Sequence, residues 1–161
     1  MRSVATAMMS TLVGASMWSC GSSTSMPIGP SAPTTAAINV SGTWSGTGSD
    51  SFGPELVTWV LAQSGTSVSG TAEFNAVNPA DGSCGSCHKV KKGTFSGTLS
   101  GASLSVTMKF AAGGDVPTPI CVVDLTGSAT VLDRRMMASY TGTDTCEGFF
   151  AEGKIELTRE P

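Results

Sequence analysis

The run Cys84-Gly85-Ser86-Cys87-His88 is the one cluster in this chain whose residue types and spacing could carry chemistry. Two thiols three positions apart, followed directly by an imidazole, match Cys-x-x-Cys-His, in which both sulfurs form thioethers to a c-type haem and the histidine ligates iron. The same residues could supply three ligands of a zinc site, form a redox-active dithiol, or close a small disulfide loop. A redox pair would normally sit at a helix N-terminus, which lowers the thiol pKa, and no helix is expected here. Cys84, Cys87 and His88 leave zinc short of a fourth ligand, and haem has neither a helical surround nor an identifiable second axial ligand among the 8 methionines. The plain reading is a disulfide, with no cofactor expected and haem c as the alternative.

His88 is the only histidine, so a Ser-His-Asp triad would have to run through a loop imidazole with nothing to orient it. No Gly-rich cradle precedes a helix. Asp124, Glu73 and Glu152 are expected on an outward face, and no pair of carboxylates is expected inside the domain, so acid–base catalysis has no evident seat. We expect no enzyme. A formal net charge of −3, with no basic stripe between aromatics, argues against a nucleic-acid partner.

The elements that would position these residues are strands. Charged residues make up only 13% of the 161, against abundant Gly, Ser and Thr, which is an all-β composition. A phrase recurs: Val40-Ser41-Gly42-Thr43, Val68-Ser69-Gly70-Thr71, Phe95-Ser96-Gly97-Thr98, Leu125-Thr126-Gly127-Ser128 and Tyr140-Thr141-Gly142-Thr143. Its apolar residue and its Gly lie two apart and share one face of an extended chain. Alternation predicts eight strands, near 39–48, 55–64, 66–75, 93–100, 102–111, 119–131, 135–143 and 148–159. Hairpin turns are expected at 64–65, 100–101 and 133–134. They would set Trp59 against Gly70, Leu104 against Gly97 and Tyr140 against Gly127, each inward Gly facing a bulky partner.

Eight sequential antiparallel strands with one apolar face are best closed into an up-and-down barrel, with an open two-sheet sandwich as the alternative. The expected interior holds Trp44, Leu61, Val68, Leu99, Leu104, Val106, Met108, Val123, Leu125, Ile155 and Leu157. Trp59, Phe74, Phe95, Phe110, Tyr140 and Phe149 are also expected inside, as the candidate contacts of an apolar ligand. Connections in a meander alternate between ends. The tight turns share one end, and the longer loops 49–54, 76–92, 112–118 and 144–147 share the other, which is where a mouth or binding rim belongs. The 133–134 register also places Cys121 opposite Cys146, near disulfide separation, a link contributing roughly 3 kcal/mol in the chain-entropy model.

Residues 1–20 read as an export signal: Met1-Arg2, an apolar stretch from Val4 to Trp18 too short to span a bilayer, and a terminal Cys20. Ser19-Cys20-Gly21 resembles the lipobox of bacterial lipoproteins, which implies lipidation at Cys20 and a place in the cell envelope, at the outer membrane. Cleavage after Ala15 would instead give a secreted protein. Residues 21–38, rich in Ser, Thr, Pro and Ala, form an expected tether to a barrel domain at 39–161.

Gly42-Thr43-Trp44 on the first strand, with Arg159 late in the last, resembles the signature of the calycins, the superfamily of lipocalins, avidins and fatty-acid-binding proteins. The resemblance implies a barrel in which Arg159 packs across Trp44 at the closed end. It also implies a non-catalytic role, binding a small apolar ligand or a protein partner. An inhibitor module using its rim loops is the alternative, with Asn78, Asp81, Lys89, Lys91 and Lys92 as the contact surface.

Overall fold

The computed structural model describes residues 38–78, 90–111, 121–146 and 148–161, with backbone alone at 90, 91 and 150. Eight antiparallel strands follow one another around a closed barrel in sequence order: β1 (Gly42–Asp50), β2 (Gly53–Ser64), β3 (Ser67–Ala76), β4 (Val90–Ser100), β5 (Ser103–Phe110), β6 (Val123–Leu132), β7 (Arg135–Asp144) and β8 (Gly148–Arg159). The seam closes between the first and last strands, from Trp44 opposite Arg159 to Ser49 opposite Lys154. Topology is that of a calycin-like meander, and the sandwich alternative is excluded.

Register departs from expectation at two hairpins. Ser64 pairs with Ser67 and Ser100 with Ser103, so the loops are 65–66 and 101–102. Gly70 therefore faces Leu61, not Trp59, and Leu104 faces Leu99, not Gly97. The reason is the turn chemistry. Gly65 and Gly101 take positive φ of 61° and 57° as the first loop residue, the position a type II′ turn reserves for Gly. In the third hairpin Asp133 fills that position with φ 55°, and Arg134 escapes it, so the expected 133–134 loop forms, with Tyr140 opposite Gly127. A shift of two residues leaves every side chain on its original face, so the interior survives the correction. The connection expected at 49–54 is also tighter: Asp50 pairs with Gly53 around Ser51-Phe52, and Asp50 Oδ1 accepts the Phe52 amide at 2.8 Å.

Inside, Trp44, Trp59, Phe74, Phe110, Leu104, Met108, Leu125, Met136 and Ile155 are fully buried. Trp59 and Phe95 stack tilted at 4.9 Å between centroids, and Phe74 and Phe110 at 5.4 Å. The glycines of the recurring phrase do not hollow this core. A Cβ on Gly70 would lie 1.9 Å from the Val60 carbonyl oxygen, and one on Gly127 2.0 Å from that of Ser139. At these positions the strand bends so sharply against its neighbour that backbone occupies the space of a side chain.

Phe149 is the one expected interior residue that is not inside; it is 70% exposed. Pairing between β7 and β8 runs Tyr140 to Gly153, then shifts so that Gly142 meets Phe150 and Thr143 meets Phe149. The extra residue is a bulge centred on Glu152, whose φ is 61°. Adding one residue reverses the alternation, which turns Phe149 to the outer face.

Gly70→Ala and Gly127→Ala should each lower stability by about 2 kcal/mol or more in urea denaturation, because backbone must move. Gly65→Ala, with open space around it, should cost only the left-handed conformation, about 1 kcal/mol.

Candidate functional site

The two ends of the barrel differ in what they do with their polar groups. At the end holding the 65–66, 101–102 and 133–134 turns, residues 38–41 lie across the opening. Val40 is fully buried; its amide donates to Gln63 Oε1 at 2.8 Å and its carbonyl accepts Trp44 Nε1 at 2.8 Å. Arg159 sits 5.7 Å over the Trp44 ring and donates to the carbonyls of Asn39, at 3.1 Å, and Ser41. A Cβ on Gly42 would meet Arg159 Nε at 3.3 Å, so the Gly makes room for the guanidinium. Gly42, Trp44 and Arg159 are thus brought together as the plug of this end, which turns attention to the other.

Three acidic residues lie toward the open end: Asp50 and Glu55, which meet at Tyr140, and Asp144, which lies beside the disulfide. Glu55 is fully buried, Asp144 is 2% exposed, and Asp50 is half-buried. This corrects the expectation that no pair of carboxylates lies inside the domain. The sequence held the signal in its phase: Glu55 lies in step with Val57, Trp59 and Leu61, and Asp144 in step with Tyr140. Asp124 and Glu73 lie outside as expected, paired with Lys109 at 3.1 Å and Lys92 at 3.7 Å. Glu152 is exposed.

Tyr140 links Glu55 and Asp50. Its hydroxyl lies 2.6 Å from Glu55 Oε1 and 2.8 Å from Asp50 Oδ2, so one phenolic hydrogen is shared between two carboxyl groups. Reaching them, the ring leaves β7, passes over Gly153 of β8 and ends between β1 and β2. A Cβ on Gly153 would fall 2.4 Å from the ring, and one on Gly48 would fall 2.5 Å from Glu55 Oε1. Both glycines are therefore requirements of the bridge. Burial pushes the Tyr140 hydroxyl far above its ordinary range, and the Glu55 and Asp50 charges add to the shift. A phenol held neutral in this way donates a hydrogen bond and is a poor nucleophile.

The Cys121–Cys146 disulfide forms as expected, with Cα atoms 5.5 Å apart. It ties the start of β6 to the turn after β7, where Val122 and Thr145 exchange two further bonds, at 2.9 and 3.0 Å. Asp144 Oδ1 accepts the Cys146 amide at 2.7 Å, while its buried Oδ2 has no hydrogen-bond partner among the described residues. Cys121, Cys146 and Asp144 lie within metal-ligand reach of one another, but both sulfurs are committed to the disulfide.

Of the candidate ligand contacts, Trp59, Phe74, Phe95, Phe110 and Tyr140 are gathered in the packed interior, and Phe149 is outside it. Phe52, Val77 and Val122 carry exposed apolar surface at the open end, on three of its four connections. Cys20, Cys84, Cys87, His88, Asp81 and Lys89 lie outside the described residues. Lys92 of the expected contact loop is taken up by Glu73. Comparison with protein-family models and with curated proteins finds no match for this chain.

Tyr140→Phe should cost about 2–4 kcal/mol, because it strips a donor from buried carboxyl groups. The sign of the pH effect follows from a phenol pKa raised on folding. Its stabilisation is complete below about pH 10 and declines above it, by roughly 1.4 kcal/mol per pH unit, as the unfolded phenol ionises first. The Phe variant should lack that slope. Since Tyr140 is the single tyrosine, phenolate absorbance in alkali should appear only together with unfolding. Opening the Cys121–Cys146 link by paired Ser substitutions should lower stability by about 3 kcal/mol in denaturant.

Proposed function

We propose that this chain is a non-catalytic, lipid-anchored protein of the bacterial cell envelope that engages a protein partner through the open rim of its barrel. Lipidation at Cys20 and a tether over 21–38 would deliver the chain to the plugged end, where Ile38 and Asn39 enter the fold. The rim would then face away from the membrane. One observation carries the choice of rim over lumen: the side chains suited to hold an apolar ligand are spent packing against each other, whereas Phe52, Val77 and Val122 offer apolar surface around the opposite opening. Aliphatic and aromatic residues grouped at one end of a small barrel, rimmed by acidic and hydroxyl groups, fit a protein interface better than a buried small-molecule site.

Two measurements test this. A photo-crosslinking residue placed at Val77 or Val122 in cells should give one discrete adduct that a residue at Thr98, beside the plugged end, does not. Titration with fatty acids or retinoids should leave the fluorescence of Trp44 and Trp59 unchanged. Saturable quenching would move the site into the lumen and overturn the rim assignment. Lipidation is checked separately, by incorporation of labelled palmitate that is lost in Cys20→Ser.

A further inference from the structure

The bulge in β8 has a conformational cost and changes what the outer wall presents. Glu152 holds a left-handed φ of 61°, a conformation that a glutamate adopts only against steric resistance. The conformation turns Phe149 outward, where it stands 70% exposed directly across from Thr143. Bulges that re-aim a side chain are concentrated beside binding sites.

On the outer wall, over β6, β7 and β8, lies a groove of about 630 Å³ lined by residues of these strands, with Phe149 outside its lining and one strand step beyond Thr141. Its sides are Thr126, Ser128, Ser139, Thr141, Glu152 and Lys154, and its floor is the strand backbone at Gly127, Tyr140 and Gly153, whose side-chain positions face the interior. The hydroxyls continue rows that run across the sheet: Ser69, Ser96, Thr107, Thr126 and Thr141 are successive cross-strand partners, as are Ser105, Ser128 and Ser139. Neighbours within a row stand roughly 4.8 Å apart, and rows follow roughly 6.7 Å apart along the strands. Phe149, opposite Thr143, extends the groove by one such step beyond Thr141.

We propose that this wall is a glycan-binding groove, in which the Phe149 ring stacks on the C–H face of a sugar and the Thr126, Ser128, Ser139 and Thr141 hydroxyls, with Glu152, bond the sugar hydroxyls. Hydroxyl groups both donate and accept, so they match a ligand built of the same groups. The two charges lining the groove, Glu152 and Lys154, oppose each other, which gives a phosphate or polyanion no net attraction. Among the lining residues there is no exposed large apolar side chain for a peptide or acyl chain to bury. An aromatic ring beside a neutral, hydroxyl-lined trough is the chemistry that recognises an uncharged oligosaccharide. The groove is separate from the rim proposed above.

The test uses the folded, disulfide-bonded protein. It is titrated with chitotetraose, cellotetraose and maltotetraose at millimolar concentrations, followed by backbone amide NMR, and it is also sedimented with insoluble peptidoglycan. At least one oligosaccharide should bind saturably, shifting the amides of Thr126, Ser128, Ser139, Thr141 and Gly153. Response to chitotetraose with peptidoglycan co-sedimentation assigns an envelope amino-sugar chain; response to a glucan without it assigns an external polysaccharide. Phe149→Ala should weaken binding roughly tenfold, as expected for loss of one stacking ring, and Val122→Ser at the rim should leave it unchanged. Glu152→Gly relieves the left-handed φ, so it should raise the denaturation midpoint while weakening glycan binding, a pairing that a merely structural bulge would not show. No groove shifts with any of the three sugars, or unchanged affinity in Phe149→Ala, would overturn the assignment.

Discussion

Backbone pairing of β1 with β8 is the constraint on which the rest of the molecule depends. From Trp44 opposite Arg159 to Ser49 opposite Lys154, this ladder removes both free edges of the sheet and turns one apolar face into a closed interior. Closure sets a fixed circumference, and the lumen of an eight-stranded barrel is narrow enough for side chains to fill. Trp44, Trp59, Phe74 and Phe110 fill it, and glycines such as Gly70 and Gly127 permit the strand bends that let it close. Tyr140 reinforces the same seam from within, since its hydroxyl crosses β8 to reach carboxyl groups on β1 and β2.

This construction explains the asymmetry of the two ends. One is sealed by the incoming chain, by Gln63 and by the Arg159–Trp44 stack, with its turns as short as two residues. The other carries a disulfide, buried acidic residues and exposed apolar residues. Buried carboxyl groups are costly unless hydrogen-bonded, and the shared phenolic hydrogen offsets part of that cost.

Much of the architecture was legible from period and punctuation. Alternation marked all eight strands to within a few residues, and the Cys121–Cys146 link followed from the one hairpin whose loop was placed correctly. In the other two hairpins the turn lies one residue further along, which shifts the pairing by two, because Ser64-Gly65 and Gly65-Thr66 are both plausible turns. Only backbone φ tells which position the Gly occupies. Glu55 and Asp144 share the phase of the interior, but burial of an acid depends on its partners in the folded chain, the Tyr140 hydroxyl for Glu55 and the Cys146 amide for Asp144.

What the amino-acid order determined by itself was the strand number, the meander, the face each residue of a regular strand presents, and the pairing of two cysteines. These rest on a period of two and on local turn geometry, which act between near neighbours. Tertiary structure alone decided the bulge at Glu152, the outward turn of Phe149, and the meeting of Tyr140 with Asp50 and Glu55 across four strands. Those depend on how a closed circumference takes up one surplus residue and on contacts between positions up to 90 residues apart, which no local pattern encodes.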